Sequence, residues 1–274
     1  MTTHIDELMT FLSGSITPFH AVEVMAKTLQ RAGFEQLDQF DAVRMTPGKG
    51  YFVVHQGSSL MAVRAGQSGV ETGLRLVGAH TDSPNLSVKP NPVKGRDGCI
   101  QLGVDVYGGA LLNPWFDRDL GMAGRVTMLT PDSALRTTLF DTGRAVAVIP
   151  SLAIHLDREA NTQRSINRQK DVVPLVMLGE HEQYDLKAWL AQELARVDSQ
   201  WQGARVMDYE LSLYDTQPPN QIGIDGDFIT SARLDNLLSC FAGMRALIDA
   251  DDAEWSLFVA TDHEEVGSTS TVGA

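Results

Sequence analysis

The chain has 274 residues, 43% of them hydrophobic and 21% charged, which is the composition of one large or two ordinary globular domains. Lys and Arg number 22 against 35 Asp and Glu, a net charge of −13, so the basic footprint that nucleic acid or an anionic membrane surface requires is absent and neither is an expected partner. No apolar run reaches the length of a membrane span, and the opening MTTHIDELMT lacks the basic and apolar regions of a signal peptide. Cys99 and Cys240, each inside an apolar segment, read as two buried thiols in a reducing cytoplasm. The sequence contains no G-x-S-x-G elbow, no P-loop and no G-x-G-x-x-G. Seven histidines and many carboxylates remain, which directs site chemistry toward metal and acid–base work.

In chain order, Thr17 followed by Pro18 reads as an N-cap with proline in the first helical turn, Phe19, Val22, Ala26 and Leu29 recur at helical spacing, and Gly33 closes the helix. Tyr51–Val54, Leu60–Arg64 and Leu74–Ala79 are short β-rich runs. The third is apolar on both faces apart from Arg75, which predicts a strand buried within a layered sheet. Pro84, Pro90 and Pro92 then punctuate a stretch that should not continue a central strand. Further strands are expected at Ile100–Tyr107, Gly124–Thr130 and Arg144–Ile149, with one helix near Leu186–Val197. After the Pro218-Pro219 pair, Leu237–Ile248 has helical periodicity and Ser256–Thr261 is an apolar strand. The fold class expected is α/β: a central mixed sheet flanked by helices, residues 1–90 and 232–274, interrupted by a β-rich insertion over 91–231.

Three clusters carry chemistry, and each lies just past a strand end or at a helix start, where α/β sheets place their sites. In Gly78-Ala79-His80-Thr81-Asp82-Ser83-Pro84, His80 and Asp82 share a face if the chain stays extended. A carboxylate can then take one imidazole N–H and leave the other nitrogen free as a ligand; a turn with a capping Asp and a surface His fits the same residues. Asp235, in Arg233-Leu234-Asp235-Asn236, reads first as a helix N-cap. Glu264 and Glu265, in Asp262-His263-Glu264-Glu265-Val266-Gly267, are either a solvated acidic loop or two carboxylates in one pocket, where a cation or a proton must offset their repulsion. Gly267 stands four residues after His263, so this is not an H-E-x-x-H helix.

Together these clusters resemble the aspartyl aminopeptidases, a family of di-zinc metallopeptidases. GAHTDSPNLSVKP (78–90), NPWFDRDLGMAGRV (113–126), SLAIHLDR (151–158), SARLDNL (231–237) and DHEEVGS (262–268) follow in that family's order and approximate spacing, and SITPFHAVE (15–23) is similar to its start. The resemblance implies that His80 ligates one zinc with Asp82 orienting it, that Asp235 bridges two zinc ions, that Glu264 is the general base, and that Glu265 ligates the other ion. It implies two Zn²⁺ per subunit of the complete protein, roughly 3.5–4 Å apart, polarising water and the scissile carbonyl. It also implies peptide substrates with N-terminal Asp or Glu, a large homo-oligomer (a dodecamer built from dimers), an insertion that mediates those contacts, and His155 reaching the active site of a neighbouring subunit. From its local sequence alone, between Ile154 and Leu156, His155 reads as a partly buried structural residue.

The family supplies two more ligands, an Asp and a His, beyond the equivalent of Ala274, and three ligands are too few for two tetrahedral sites. The sequence is therefore read as a chain truncated at its C-terminus. Two other functions share the residue types: a different di-metal amidohydrolase such as a deacylase, which the insertion motifs disfavour, and an inactive binding scaffold, which Gln at position 264 would have favoured. His20 is expected within a helix, His55 and His181 at the surface, and Trp115 and Phe116 in packing.

Overall fold

The computed structural model of the chain describes residues 4–40, 44–180 and 184–273; His181 lies outside them. In chain order the elements are α1 (His4–Gly14), α2 (Pro18–Arg31), β1 (Glu35–Gln36), β2 (Gly50–His55), β3 (Ser59–Arg64), β4 (Leu74–His80), β5 (Asn85–Arg96), β6 (Cys99–Tyr107), β7 (Leu120–Leu129), β8 (Leu135–Asp141), β9 (Leu175–Leu178), α3 (Leu186–Val197), β10 (Arg205–Asp215), β11 (Asn220–Ile222), β12 (Phe228–Thr230), α4 (Leu234–Asp249) and β13 (Trp255–Thr261). They form two compact units, Met1–Ser83 with Pro218–Ala274, and Pro84–Gln217. Strand β5, which begins at Asn85, belongs wholly to the second unit, and β11 and β12 belong to the first.

The first unit is a mixed sheet in the order β1-β2-β3-β13-β4. Strand β13 runs antiparallel to β3 and parallel to β4. Helices α1, α2 and α4 contribute Phe11, Leu12, Met25, Leu29, Leu237 and Met244 to a core closed by Phe52, Leu60 and Phe258 of the sheet. Helix α2 begins at Pro18 as expected, but Thr17 makes no side-chain cap; its Oγ1 lies 2.8 Å from Nδ1 of His20 instead. Strand β4 departs from expectation. It is an edge strand among the described residues, with Leu74, Leu76 and Val77 45%, 60% and 43% exposed. An apolar pattern on both faces records what a strand is suited to touch, and nothing described here covers it on its outer side.

One consequence of this topology positions the site. Because β4 and β13 are parallel and in register, with His80 opposite Thr261, their carboxyl ends emerge together. Residues 80–83 and 261–265 are therefore neighbours despite about 180 intervening positions. Helix α4 begins at the same edge and packs against both strands.

The second unit is an antiparallel sheet in the order β8-β7-β10-β5-β6-β9, with α3 packed on it through Leu186, Leu190 and Leu194. Asp185 caps α3, accepting the N–H groups of Lys187 and Ala188. One expectation is refined and one corrected. Strand β5 runs on through Pro90 and Pro92, but its ladder to β10 is confined to Leu86 and Ser87 and its ladder to β6 shifts register between Val88 and Val93, so neither ladder demands an N–H from a proline. The stretch Arg144–Ile149 is not a strand; it makes only isolated bridges, from Ala147, Val148 and Ile149. Phe116 is buried in this core, with Trp115 packed against it.

Candidate active site

His80, the last residue of β4, carries an imidazole whose Nδ1 lies 3.1 Å from the Asp82 carbonyl oxygen and 3.2 Å from Asp82 Oδ1. A carbonyl oxygen can only accept, so Nδ1 carries a proton, and Nε2 is the ring nitrogen left to bind a metal. Nε2 faces Asp235 Oδ1 at 3.4 Å and Glu264 Oε2 at 3.7 Å. The extended-chain argument for His80 and Asp82 therefore holds, and the surface-turn alternative does not: Asp82 is 1% exposed.

Asp82 does more than orient the ring. Its Oδ1 accepts the N–H of Glu264 at 3.3 Å and its Oδ2 the N–H of Glu265 at 3.1 Å. Glu264–Val266 form a single tight turn, preceded by His263 at φ 61° and followed by Gly267 at φ 94°. Glycine suits a left-handed exit of that kind, which turns the two glutamate N–H groups inward. Burial, then the charges of Asp82, Asp235 and Glu264, raise the pKa of Glu265, with His80 opposing.

Asp235 is not the N-cap of α4. Arg233 holds that position in a left-handed conformation, and Asp235 sits in a kink at φ −84°, ψ 111°. Its side chain is 80% exposed, so its place is set through the backbone: Ser83 Oγ donates to the Asp235 carbonyl at 2.8 Å, and Arg233 Nε donates to the Ser15 carbonyl at 3.1 Å. Ser83 and Arg233 stood inside quoted motifs without a role; only contact in three dimensions gives them one. Asp262, 4% exposed at the end of β13, was likewise unassigned. Burial raises its pKa, and nearby Asp82 adds to the effect.

The five residues His80, Asp82, Asp235, Glu264 and Glu265 thus come together in the first unit. Several carboxylate oxygens face one another around His80 Nε2, an arrangement whose repulsion a cation or a proton offsets. The donor types fit zinc, although among the described residues no group of three such side chains is drawn in closely enough to hold a metal ion by itself. His155 belongs to the second unit and is exposed, in a segment whose start is fixed by the Ser151 N–H donating to Asp117 Oδ1 at 2.8 Å.

Comparison with known proteins gives the same direction. The family model described as aminopeptidase I zinc metalloprotease (M18) matches residues 11–274. A probable M18 family aminopeptidase 2 of Ectopseudomonas mendocina is 51% identical over 272 residues, spanning 98% of this chain and 63% of its own length. The chain thus spans about 63% of the length of that relative. Among solved structures, Chaetomium thermophilum mApe1 is similar with a TM-score of 0.85 and 30% identity, over 97% of this chain and 63% of that one. The S. cerevisiae mApe1 dodecamer matches with a TM-score of 0.79 and 26% identity, over 97% and 62% respectively. A family match over nearly the whole chain, borne on a fold that gathers the motif carboxylates around His80, places this protein in the M18 family of zinc metalloproteases.

Proposed function

We propose that the complete protein is a zinc aminopeptidase that removes N-terminal Asp or Glu from peptides. The observation that carries the reading is the placement of His80 Nε2 beside the carboxylates of Asp235 and Glu264, with Asp82 behind the ring. In this reading His80, Asp235 and Glu265 would hold zinc, two ions per subunit of the complete protein. Zinc, when bound, supplies Lewis-acid polarisation of the scissile carbonyl and lowers the pKa of water. Glu264 remains off the metal and moves protons: it takes one from the attacking water and delivers it to the departing amine nitrogen. Asp82 holds the His80 tautomer and, through the Glu264 and Glu265 N–H groups, the placement of both glutamates.

Substrate preference rests on the family resemblance. A net charge of −13 repels acidic peptides at long range, so selectivity requires a local cation. His155, exposed on the second unit, is proposed as a hydrogen-bond donor to the developing oxyanion of a neighbouring subunit's substrate. The yeast relative described as a dodecamer supports assembly into a comparable homo-oligomer. Two free cysteines suit a reducing cytoplasm, and no helix among the described residues is long and apolar enough to cross a membrane.

The test is metal analysis of the purified complete protein together with hydrolysis of Asp-, Glu-, Ala- and Leu-linked chromogenic amides. The reading expects about two zinc ions per subunit and faster turnover of the acidic pair. Equal turnover of all four overturns the substrate assignment, and activity that survives exhaustive chelation overturns the metal assignment.

A further inference from the structure

We infer that Asn236 and Cys240 are positioning residues that grip the His80 peptide from α4 and so fix its imidazole relative to Asp235. The argument begins with the strand. Alternate residues of a β-strand direct their N–H and C=O groups to opposite sides. The Thr81 N–H donates to the Thr261 carbonyl at 2.7 Å, on the β13 side. Both polar groups of His80 therefore point the other way, toward the edge of β4 that no strand pairs among the described residues. A half-buried peptide there needs other partners.

Helix α4 supplies both. Asn236 Oδ1 accepts the His80 N–H at 3.4 Å, and Cys240 Sγ donates to the His80 carbonyl at 3.1 Å. Asn236 lies in the kink at the start of α4 and Cys240 four residues on, and both side chains reach the backbone of the same residue. Cys240 is fully buried, and because a carbonyl oxygen only accepts, the thiol is the donor of this bond. The neighbouring inward residues of α4, Leu237, Phe241 and Met244, are purely apolar, and the thiol stands where the helix meets an unpaired carbonyl. Asp235 directly precedes Asn236 in the kink at the start of α4, so the segment that holds the His80 peptide also carries the carboxylate whose Oδ1 lies 3.4 Å from His80 Nε2.

The functional consequence rests on His80 being a metal ligand; the grip itself does not. Cys240→Ser keeps a donor, Cys240→Ala removes it, and Cys240→Val removes it without leaving a void. NMR of the complete protein, specifically labelled at His80, reads two quantities: the His80 carbonyl ¹³C shift with the exchange rate of its amide, and the response of the His80 ring to added zinc chloride. The expected result is a displaced carbonyl shift and faster amide exchange in the Ala and Val variants, with Ser restoring wild-type behaviour. The zinc midpoint at His80 should rise about tenfold in Ala and Val, the scale of losing a group that orients a ligand. Wild-type carbonyl shift and exchange in both Ala and Val, or failure of Ser to restore them, overturns the grip. A displaced carbonyl with an unchanged zinc midpoint overturns its role in positioning the ligand. A wild-type His80 ring that ignores zinc overturns the metal reading and the positioning role with it, while the carbonyl shift still decides the grip.

Discussion

Oδ2 of Asp82 accepts the backbone N–H of Glu265 at 3.1 Å. This bond joins the loop after β4 to the turn after β13, and its partner from Glu264 reaches the other oxygen of the same carboxylate. One buried side chain thereby orients an imidazole and two glutamates at once. Replacing Asp82 by Asn offers one acceptor where two are used and leaves a backbone donor without a partner. Relief of carboxylate repulsion does not cancel this, because a backbone N–H cannot turn away to water. Asp82→Asn should lower stability by about 1–3 kcal/mol, read as a lower urea midpoint at unchanged slope.

Glu264→Gln in the complete protein should keep its metal and lose turnover. The amide fills the same space but cannot accept the proton of the attacking water, and loss of a general base costs ~10²–10⁴-fold in kcat. Zinc content and kcat measured on one preparation decide the matter; near-normal turnover at full metal content removes Glu264 from the mechanism.

The raised pKa of Glu265 has a sign that stability measurements can detect. Burial and three carboxylate neighbours favour its neutral form in the fold, so between the unfolded and folded pKa values the native state binds more protons. Its contribution to stability is present below the unfolded pKa and is lost as pH rises through the folded one. In zinc-free protein, Glu265→Gln should therefore gain in melting temperature over wild type at pH 7.5 and lose that advantage near pH 4. Equal differences at the two pH values would show that Glu265 does not feel its neighbours. Saturating zinc should abolish the gain, since the ion offsets the same repulsion.

Gly243 lies in α4, where an added Cβ would stand 2.8 Å from two Phe258 ring carbons and 3.0 Å from Val77 Cγ1. Ala gains about 1 kcal/mol of helix propensity over Gly, yet overpacking costs about 1–3 kcal/mol. Packing should win, and Gly243→Ala should melt lower than wild type despite the better helix former.

His155→Phe in the complete protein should lower kcat about 10²–10³-fold, the usual cost of one oxyanion donor, with metal content and oligomer size unchanged. Mixed oligomers of His155→Phe and Glu264→Gln subunits should recover some activity if the donor acts between chains. Normal turnover in His155→Phe returns this residue to a structural role; absence of recovery on mixing places it in its own subunit's site.

The α/β class, helices α2, α3 and α4 and strands β2, β3, β4 and β13 were legible in the sequence because their signals are local: hydrophobic period and proline at a helix start. His80, Asp82, Asp235, Glu264 and Glu265 were singled out only by several motifs occurring together in one order, since each cluster by itself reads as well as a turn, a helix cap or a solvated loop. Tertiary structure alone decided the rest. Whether Asp235 caps a helix or sits in a kink depends on Arg233 reaching Ser15 and on Ser83 reaching the Asp235 carbonyl, partners distant in the chain. Strand β5 tolerates Pro90 and Pro92 because β10 pairs with it only at Leu86 and Ser87 and the β6 ladder shifts between Val88 and Val93, a property of three strands together. The exposure of Leu76 on β4 likewise depends on which strands pair beside it. A sequence pattern states what a residue can satisfy; only the parallel pairing of β4 with β13, which brings His80 beside Thr261, decides which groups are left to satisfy one another.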